Sequence, residues 1–155
     1  GLKVGIIGDI SHSRVALSNI FGLTTMGADV MICGPSTLIP PHIEKLGVKV
    51  SYDMDEVIDW ADAVNILRIQ LERMGTGLYP SIREYRELFG LSVERIKRHS
   101  KDLVVMHPGP MNRGTEIDSA VADSDRAIIL DQVLNGVASR MAILYLLLSG
   151  KTEEN

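Results

Sequence analysis

The spacing of apolar residues changes period several times along the chain, and each change marks an element. Residues 2–7 are apolar and rich in β-branched side chains, closed by Gly8-Asp9, which predicts a first strand. From about Ser13 the apolar residues Val15, Ala16, Ile20, Leu23 and Met26 recur at helical spacing, with Gly27 placed to end the helix. Residues 28–33 predict a second strand, stopped by Gly34-Pro35, and Pro40-Pro41 opens a short helix through Leu46. Residues 48–51 predict a third strand, 54–60 a helix and 62–67 a fourth strand. The rhythm lapses at Met74-Gly75-Thr76-Gly77, a turn-forming loop, before helical patterns over 81–89 and 93–98. Residues 102–106 predict a fifth strand and 126–130 a sixth. Asp131 is expected to cap a long final helix whose apolar side includes Val133, Val137, Met141, Leu144 and Leu148.

Strands alternating with helices imply an α/β fold: a doubly wound, mainly parallel sheet with helices on both faces, Rossmann-like in outline. Residues 1–150 are read as one domain and residues 151–155 as a polar, frayed tail. The first strand begins almost at once, which gives the expectation that something preceding Gly1 has been removed.

Composition narrows the partners. The 155 residues carry a net charge of −4, with 45% hydrophobic and 23% charged residues. That balance suits a globular domain and gives no reason to expect nucleic acid or an anionic membrane as a partner. No apolar run is expected to reach the roughly 18 residues of a membrane-spanning helix. The single cysteine, Cys33, cannot form an internal disulfide, so a reducing cytoplasm is the expected compartment.

The fourth strand runs directly into Leu67-Arg68-Ile69-Gln70-Leu71-Glu72-Arg73, a burst of charge where the strand should end. Open α/β sheets bind ligands at the C-terminal ends of their strands, at the point where the strand order reverses. Strands one and four should meet there, which would bring Arg14, at the start of the first helix, to the same crevice as Arg68. Two guanidiniums suit a dicarboxylate, since each can hold a carboxylate bidentately and stays charged at any working pH. Asp9 and Glu72 are available to hold the arginines, and Gln70 offers a neutral amide to an amine. The fifth strand ends in His107-Pro108-Gly109-Pro110, a rigid turn able to take a cis bond and, at Gly109, close backbone approach to a ligand.

Other chemistries fit less well. Gly8 is followed by Asp9-Ile10-Ser11-His12-Ser13, which breaks the glycine spacing of a dinucleotide fingerprint and would set a carboxylate against a diphosphate. His12, His42 and His99 have no metal-ligand spacing with one another or with Cys33, and no serine or cysteine sits in a nucleophile elbow. Neither a metal nor an organic cofactor is expected.

The stretches Gly8-Asp9-Ile10-Ser11-His12-Ser13-Arg14-Val15-Ala16, Leu67 to Arg73, His107 to Ile117 and Asp131-Gln132-Val133-Leu134-Asn135-Gly136-Val137-Ala138 together resemble aspartate carbamoyltransferase (aspartate transcarbamoylase). The resemblance is to its C-terminal, aspartate-binding half and covers essentially the whole chain. It implies transfer of a carbamoyl group from carbamoyl phosphate to L-aspartate, giving N-carbamoyl-L-aspartate in pyrimidine synthesis. By the same resemblance Arg14 and Arg68 bind aspartate's carboxylates with Gln70 beside them, and Asp9 organises that pocket. Gly109 and Pro110 meet carbamoyl phosphate through backbone groups, and Pro108 sets their turn. Glu72 and Arg73 steady the arginines and link two domains, and residues 73–91 correspond to a loop that moves on closure.

The resemblance also implies what lies elsewhere. The family's Ser-Thr-Arg-Thr motif and further donor-binding residues belong to an N-terminal carbamoyl-phosphate domain, and an active-site lysine comes from a neighbouring subunit. None of these motifs is in this sequence, so the chain is expected to be half an enzyme, binding aspartate weakly and turning nothing over alone. Full-length chains of the family form homotrimers, which can join regulatory or dihydroorotase subunits. The nearest rival, ornithine carbamoyltransferase, carries His-Cys-Leu-Pro in place of His107-Pro108-Gly109-Pro110 and a Ser-Met-Gly motif, neither of which is present. A nucleotide-binding domain and a catalytically silent binding module are the remaining alternatives.

Overall fold

The computed structural model describes residues 1–69, 81–99 and 102–149. Five strands form one parallel sheet: β1 (Lys3–Ile7), β2 (Asp29–Cys33), β3 (Lys49–Ser51), β4 (Ala63–Ile66) and β5 (Val104–Met106), in the order β3-β2-β1-β4-β5. The chain steps outward from β1 through β2 to β3, then returns to the other side of β1 as β4. The reversal therefore falls between β1 and β4, as the alternation of elements predicts.

Each strand feeds both faces of the sheet. Ile6 packs on one side with Ile10, Ala16, Ile20, Val30 and Ile32, beneath helix α1 (Arg14–Thr25). Ile7 packs on the other with Met31, Val57, Ile58, Val64 and Ile66, beneath helices α2 (Met54–Trp60) and α3 (Ile82–Phe89). Burial of this kind stabilises by about 25 cal/mol per Å² of apolar surface, and it needs the near-continuous apolar strands seen here. Local signals set the helix ends. The Ser13 hydroxyl accepts from Ala16 N–H at 3.1 Å to open α1. Gly27, at φ 79°, closes it, and Ala28 N–H reaches back to the Leu23 carbonyl at 2.9 Å. Helices α4 (Val93–Arg98) and α5 (Ser119–Ala122) follow α3 and β5. The segment opened by Pro40-Pro41 is a short 3-10 turn at Ile43–Leu46.

Three sequence expectations need correcting. Residues 126–130 do not form a sixth strand. Their parallel pairing is one bridge, Val105 to Ala127, in which Val105 N–H bonds the Arg126 carbonyl and Ile128 N–H bonds the Val105 carbonyl. The backbone then turns into helix α6 (Ile129–Ser149), and the apolar run 127–130 suits either structure, so periodicity could not separate them. Asp131 consequently lies inside the first turn of α6, where it favours the helix dipole but does not cap it. Third, α6 is by length and composition apolar enough to cross a membrane, contrary to the expectation that no segment reaches that length. It is also bare. Ile129 is its only buried residue among those described, while Val133, Val137, Met141, Leu144 and Leu148 are all exposed.

Candidate functional site

At the sheet's C-terminal edge the exits of β1, β4 and β5 lie side by side. Ile7 pairs with Ile66, and Asn65 pairs with Met106, so Gly8, Leu67 and His107 leave the sheet at nearly one level. Leu67 N–H bonds the Ile7 carbonyl at 2.8 Å and carries the pairing one residue past the strand. Gly8 has φ 130°, and a Cβ there would lie 3.1 Å from Leu67 Cβ and 3.2 Å from its carbonyl. Only glycine lets the two exits approach this closely. The predicted first and fourth strand exits thus meet at the reversal point, with Asp9 and Arg68 immediately beyond it.

Asp9 is buried, and its carboxylate accepts from His12 N–H at 3.1 Å and faces His12 Nδ1 at 3.0 Å. This pairing folds residues 9–12 back over the strand end and delivers Arg14 to the first position of α1, exposed to solvent. Arg68 is half-buried between the buried Leu67 and Ile69. Gln70, Glu72 and Arg73 lie outside the described residues, as do residues 74–80 of the expected moving loop. Of the rest of that stretch, Ile82–Phe89 form α3.

The His107–Pro110 turn closes the third side. His107 is buried, its backbone N–H donates to Gln132 Oε1 at 3.2 Å, and its Nδ1 accepts from Gly109 N–H at 2.9 Å. Gly109 adopts φ 60° and the Gly109–Pro110 bond is cis. Pro108 is half-buried, while Gly109 and Pro110 are open to solvent. A cleft of about 430 Å³ separates this turn from α6, lined by His107, Pro108, Gln132, Gly136 and Arg140 among others. Sequence reasoning assigned no role to Asn112, Glu116 or Gln132, although all three bond this turn or its neighbours. Asn112 and Glu116 lie in a loop without periodicity and Gln132 is one polar position in a largely apolar helix, so nothing in the pattern singled them out.

Cys33, at the end of β2, is closed to chemistry. Burial, aided by the nearby Asp53 charge, pushes its thiol up to about 12, so it is no nucleophile at neutral pH. What the edge offers is cations, exposed backbone groups and a rigid turn, an arrangement able to bind and orient anionic ligands.

Residues 1–147 match the family described as aspartate/ornithine carbamoyltransferase, Asp/Orn binding domain. The chain belongs to this family. It is 60% identical over 150 residues to the aspartate carbamoyltransferase catalytic subunit of Heliobacterium modesticaldum, covering 97% of this chain and 48% of that protein. The catalytic subunit of M. jannaschii aspartate transcarbamoylase superposes with a TM-score of 0.76 at 28% identity, over 99% of this chain and 51% of that one. Ornithine carbamoyltransferase from Thermus thermophilus shares the fold equally, with a TM-score of 0.79 at 22% identity over 96% of this chain and 48% of that one. This carbamoyltransferase chain therefore spans about half the length of the curated relatives it matches. Fold alone does not separate the aspartate from the ornithine carbamoyltransferases.

Proposed function

We propose that the chain is the acceptor-binding half of an aspartate carbamoyltransferase, which moves a carbamoyl group from carbamoyl phosphate to L-aspartate. The observation that carries this reading is the meeting of the β1 and β4 exits at the sheet's reversal point, in a chain 60% identical to a subunit named for that activity. Arg14 and Arg68 hold the two carboxylates of aspartate, and Gln70 reads its amine. Asp9, Glu72 and Arg73 keep the arginines in register. Pro108, Gly109 and Pro110 offer backbone groups to carbamoyl phosphate. An anionic side chain at the acceptor suits this cationic wall, whereas ornithine's ammonium would be repelled by it.

The chemistry asks for positioning. The neutral amine of aspartate attacks the carbamoyl carbon, a tetrahedral intermediate forms, and phosphate leaves with the C–O electron pair and takes up the proton that the amine nitrogen releases. Holding both substrates in line and neutralising their negative charge supplies the rate enhancement.

Residues 1–150 form one acceptor domain, with 151–155 a tail, and the donor domain is the half of the relatives that this chain does not span. The bare α6 supports that division: a helix this rich in exposed apolar residues normally has a covering partner, and a second domain is its natural cover rather than a bilayer. The whole subunit works as a homotrimer in a reducing cytoplasm, alone or with regulatory or dihydroorotase subunits. The test is carbamoyl-aspartate formation by the complete subunit, the isolated chain and Arg68→Gln. The complete subunit should be active, the isolated chain silent, and Arg68→Gln should raise the aspartate KM by about a hundredfold, matching loss of a bidentate charged contact of about 2–3 kcal/mol. Product from the isolated chain, or an unchanged KM, would overturn the reading.

A further inference from the structure

Two residues outside the expected pocket bond both of its described walls. Glu116 is fully buried in the loop after β5. Its backbone is anchored, since its carbonyl accepts from Leu91 N–H at 2.9 Å. Its Oε1 accepts from Asn112 N–H and lies 3.4 Å from His107 Nε2. Because Gly109 N–H donates to His107 Nδ1, that nitrogen holds a lone pair, and the neutral ring carries its proton on Nε2, facing Glu116. A continuous series of contacts therefore runs from Glu116 through His107 to the backbone of Gly109. The second connection leaves from Asn112, whose Nδ2 donates to the carbonyl of Ile69 at 2.9 Å, directly after Arg68.

This arrangement is poor packing if stability were its purpose. Glu116 Oε2 and His107 Nε2 are both buried with no hydrogen-bond partner among the described residues, so the 3.4 Å approach of Glu116 Oε1 to the ring is an electrostatic contact rather than a hydrogen bond. An apolar side chain would fill the same space at no such cost. What a carboxylate adds there is a polar contact 3.4 Å from the ring whose Nδ1 accepts from Gly109 N–H.

We infer that Glu116 and Asn112 are positioning residues for the carbamoyl transfer, Glu116 acting through His107 on the His107–Pro110 turn and Asn112 acting through Ile69 on the Arg68 wall. The inference rests on the proposed function, in which the turn faces the donor and Arg68 the acceptor. It makes the two residues separable, because each braces a different substrate's wall.

The experiment uses the complete catalytic subunit, with Glu116→Leu, Glu116→Gln and Asn112→Ala compared by steady-state kinetics and thermal unfolding. Glu116→Leu should raise the carbamoyl phosphate KM by about tenfold and leave the aspartate KM within about twofold, on the scale of small misplacements at a reacting site. Asn112→Ala should do the reverse. Glu116→Gln keeps an oxygen for Asn112 N–H and a polar contact toward His107 Nε2, so it should restore the donor KM to within about threefold of wild type. Variants that shift only the melting temperature or the active fraction, with both KM values unmoved, would overturn the inference and leave the function standing. If Glu116→Leu does not fold, Asn112→Ala and Glu116→Gln decide: an unmoved aspartate KM in the former, or a tenfold donor defect in the latter, overturns it. A wild-type subunit with no transfer to aspartate removes the functional reading, and this one with it.

Discussion

Replacing Arg95 with methionine should loosen the helical layer beside the site while leaving the sheet intact. Arg95 is a buried cation that ties three helices. Its Nη1 bonds Asp55 on α2, and its Nη2 donates to the carbonyls of Glu87 at 2.8 Å and Leu88 at 3.2 Å, at the end of α3. Methionine keeps most of the aliphatic stem and removes the donors. Stranding partly buried carbonyls costs about 1–3 kcal/mol. The ion pair adds less than about 1 kcal/mol, because the Asp55 side chain is 34% exposed and solvent screens it. The expected loss is therefore about 1–4 kcal/mol, with the carbonyls the larger share.

Urea denaturation followed by the fluorescence of Trp60, at the end of α2, reads this loss from the helix that carries Asp55. The pH dependence gives a second signature. Burial pulls the Asp55 carboxyl upward, but the Arg95 charge, hydrogen bonds from His99 and Arg95 and the Arg98 charge outweigh it, leaving the group below its ordinary 3.8. A carboxyl depressed in the fold stabilises it when ionised. That contribution is complete above about pH 4 and is lost as pH falls through the folded value. The gap between wild type and Arg95→Met should hold steady from about pH 5 to 7 and shrink below about 4. A loss under about 0.5 kcal/mol, or one that vanishes in an Asp55→Asn background, would refute the claim that the carbonyl bonds dominate.

Two shorter predictions concern the strand exits. Cys33, with its thiol near 12, should have only about one molecule in ten thousand ionised at pH 8 and should resist a disulfide reagent until the chain unfolds; fast labelling of native protein would contradict its burial. Gly34→Ala would set a Cβ 2.3 Å from the Gly8 carbonyl oxygen, a backbone atom that cannot step aside. It should cost at least about 2 kcal/mol in urea denaturation and disturb the neighbouring Asp9, and a neutral result would mean that β1 and β2 part more easily than their register implies.

The sheet was legible because its strands are short, mostly buried and punctuated. Gly8, Gly34-Pro35 and His107-Pro108 stop β1, β2 and β5 almost where the structure does. The 126–130 segment misled because an apolar run of that length fits a strand or a helix start, and one bridge to Val105 decided between them. The strand exits that precede Arg14 and carry Arg68 were readable as neighbours because topology alone brings β1 and β4 together. Glu116 and Asn112 were not. Their roles depend on contacts to His107 and Ile69 that no local pattern encodes, and a buried glutamate looks like any surface glutamate until the fold encloses it.

Helix α1 begins with a cation and has no acidic residue in its first turn and no basic residue in its last. Its dipole is thus unbalanced at both ends, and at the N-terminal end Arg14 adds positive charge to positive potential. A dicarboxylate arriving there would supply the counter-charge that the sequence withholds. If the proposed function holds, aspartate bound beside Arg14 completes the electrostatics of this helix end, and its binding and the stability of this edge rise together.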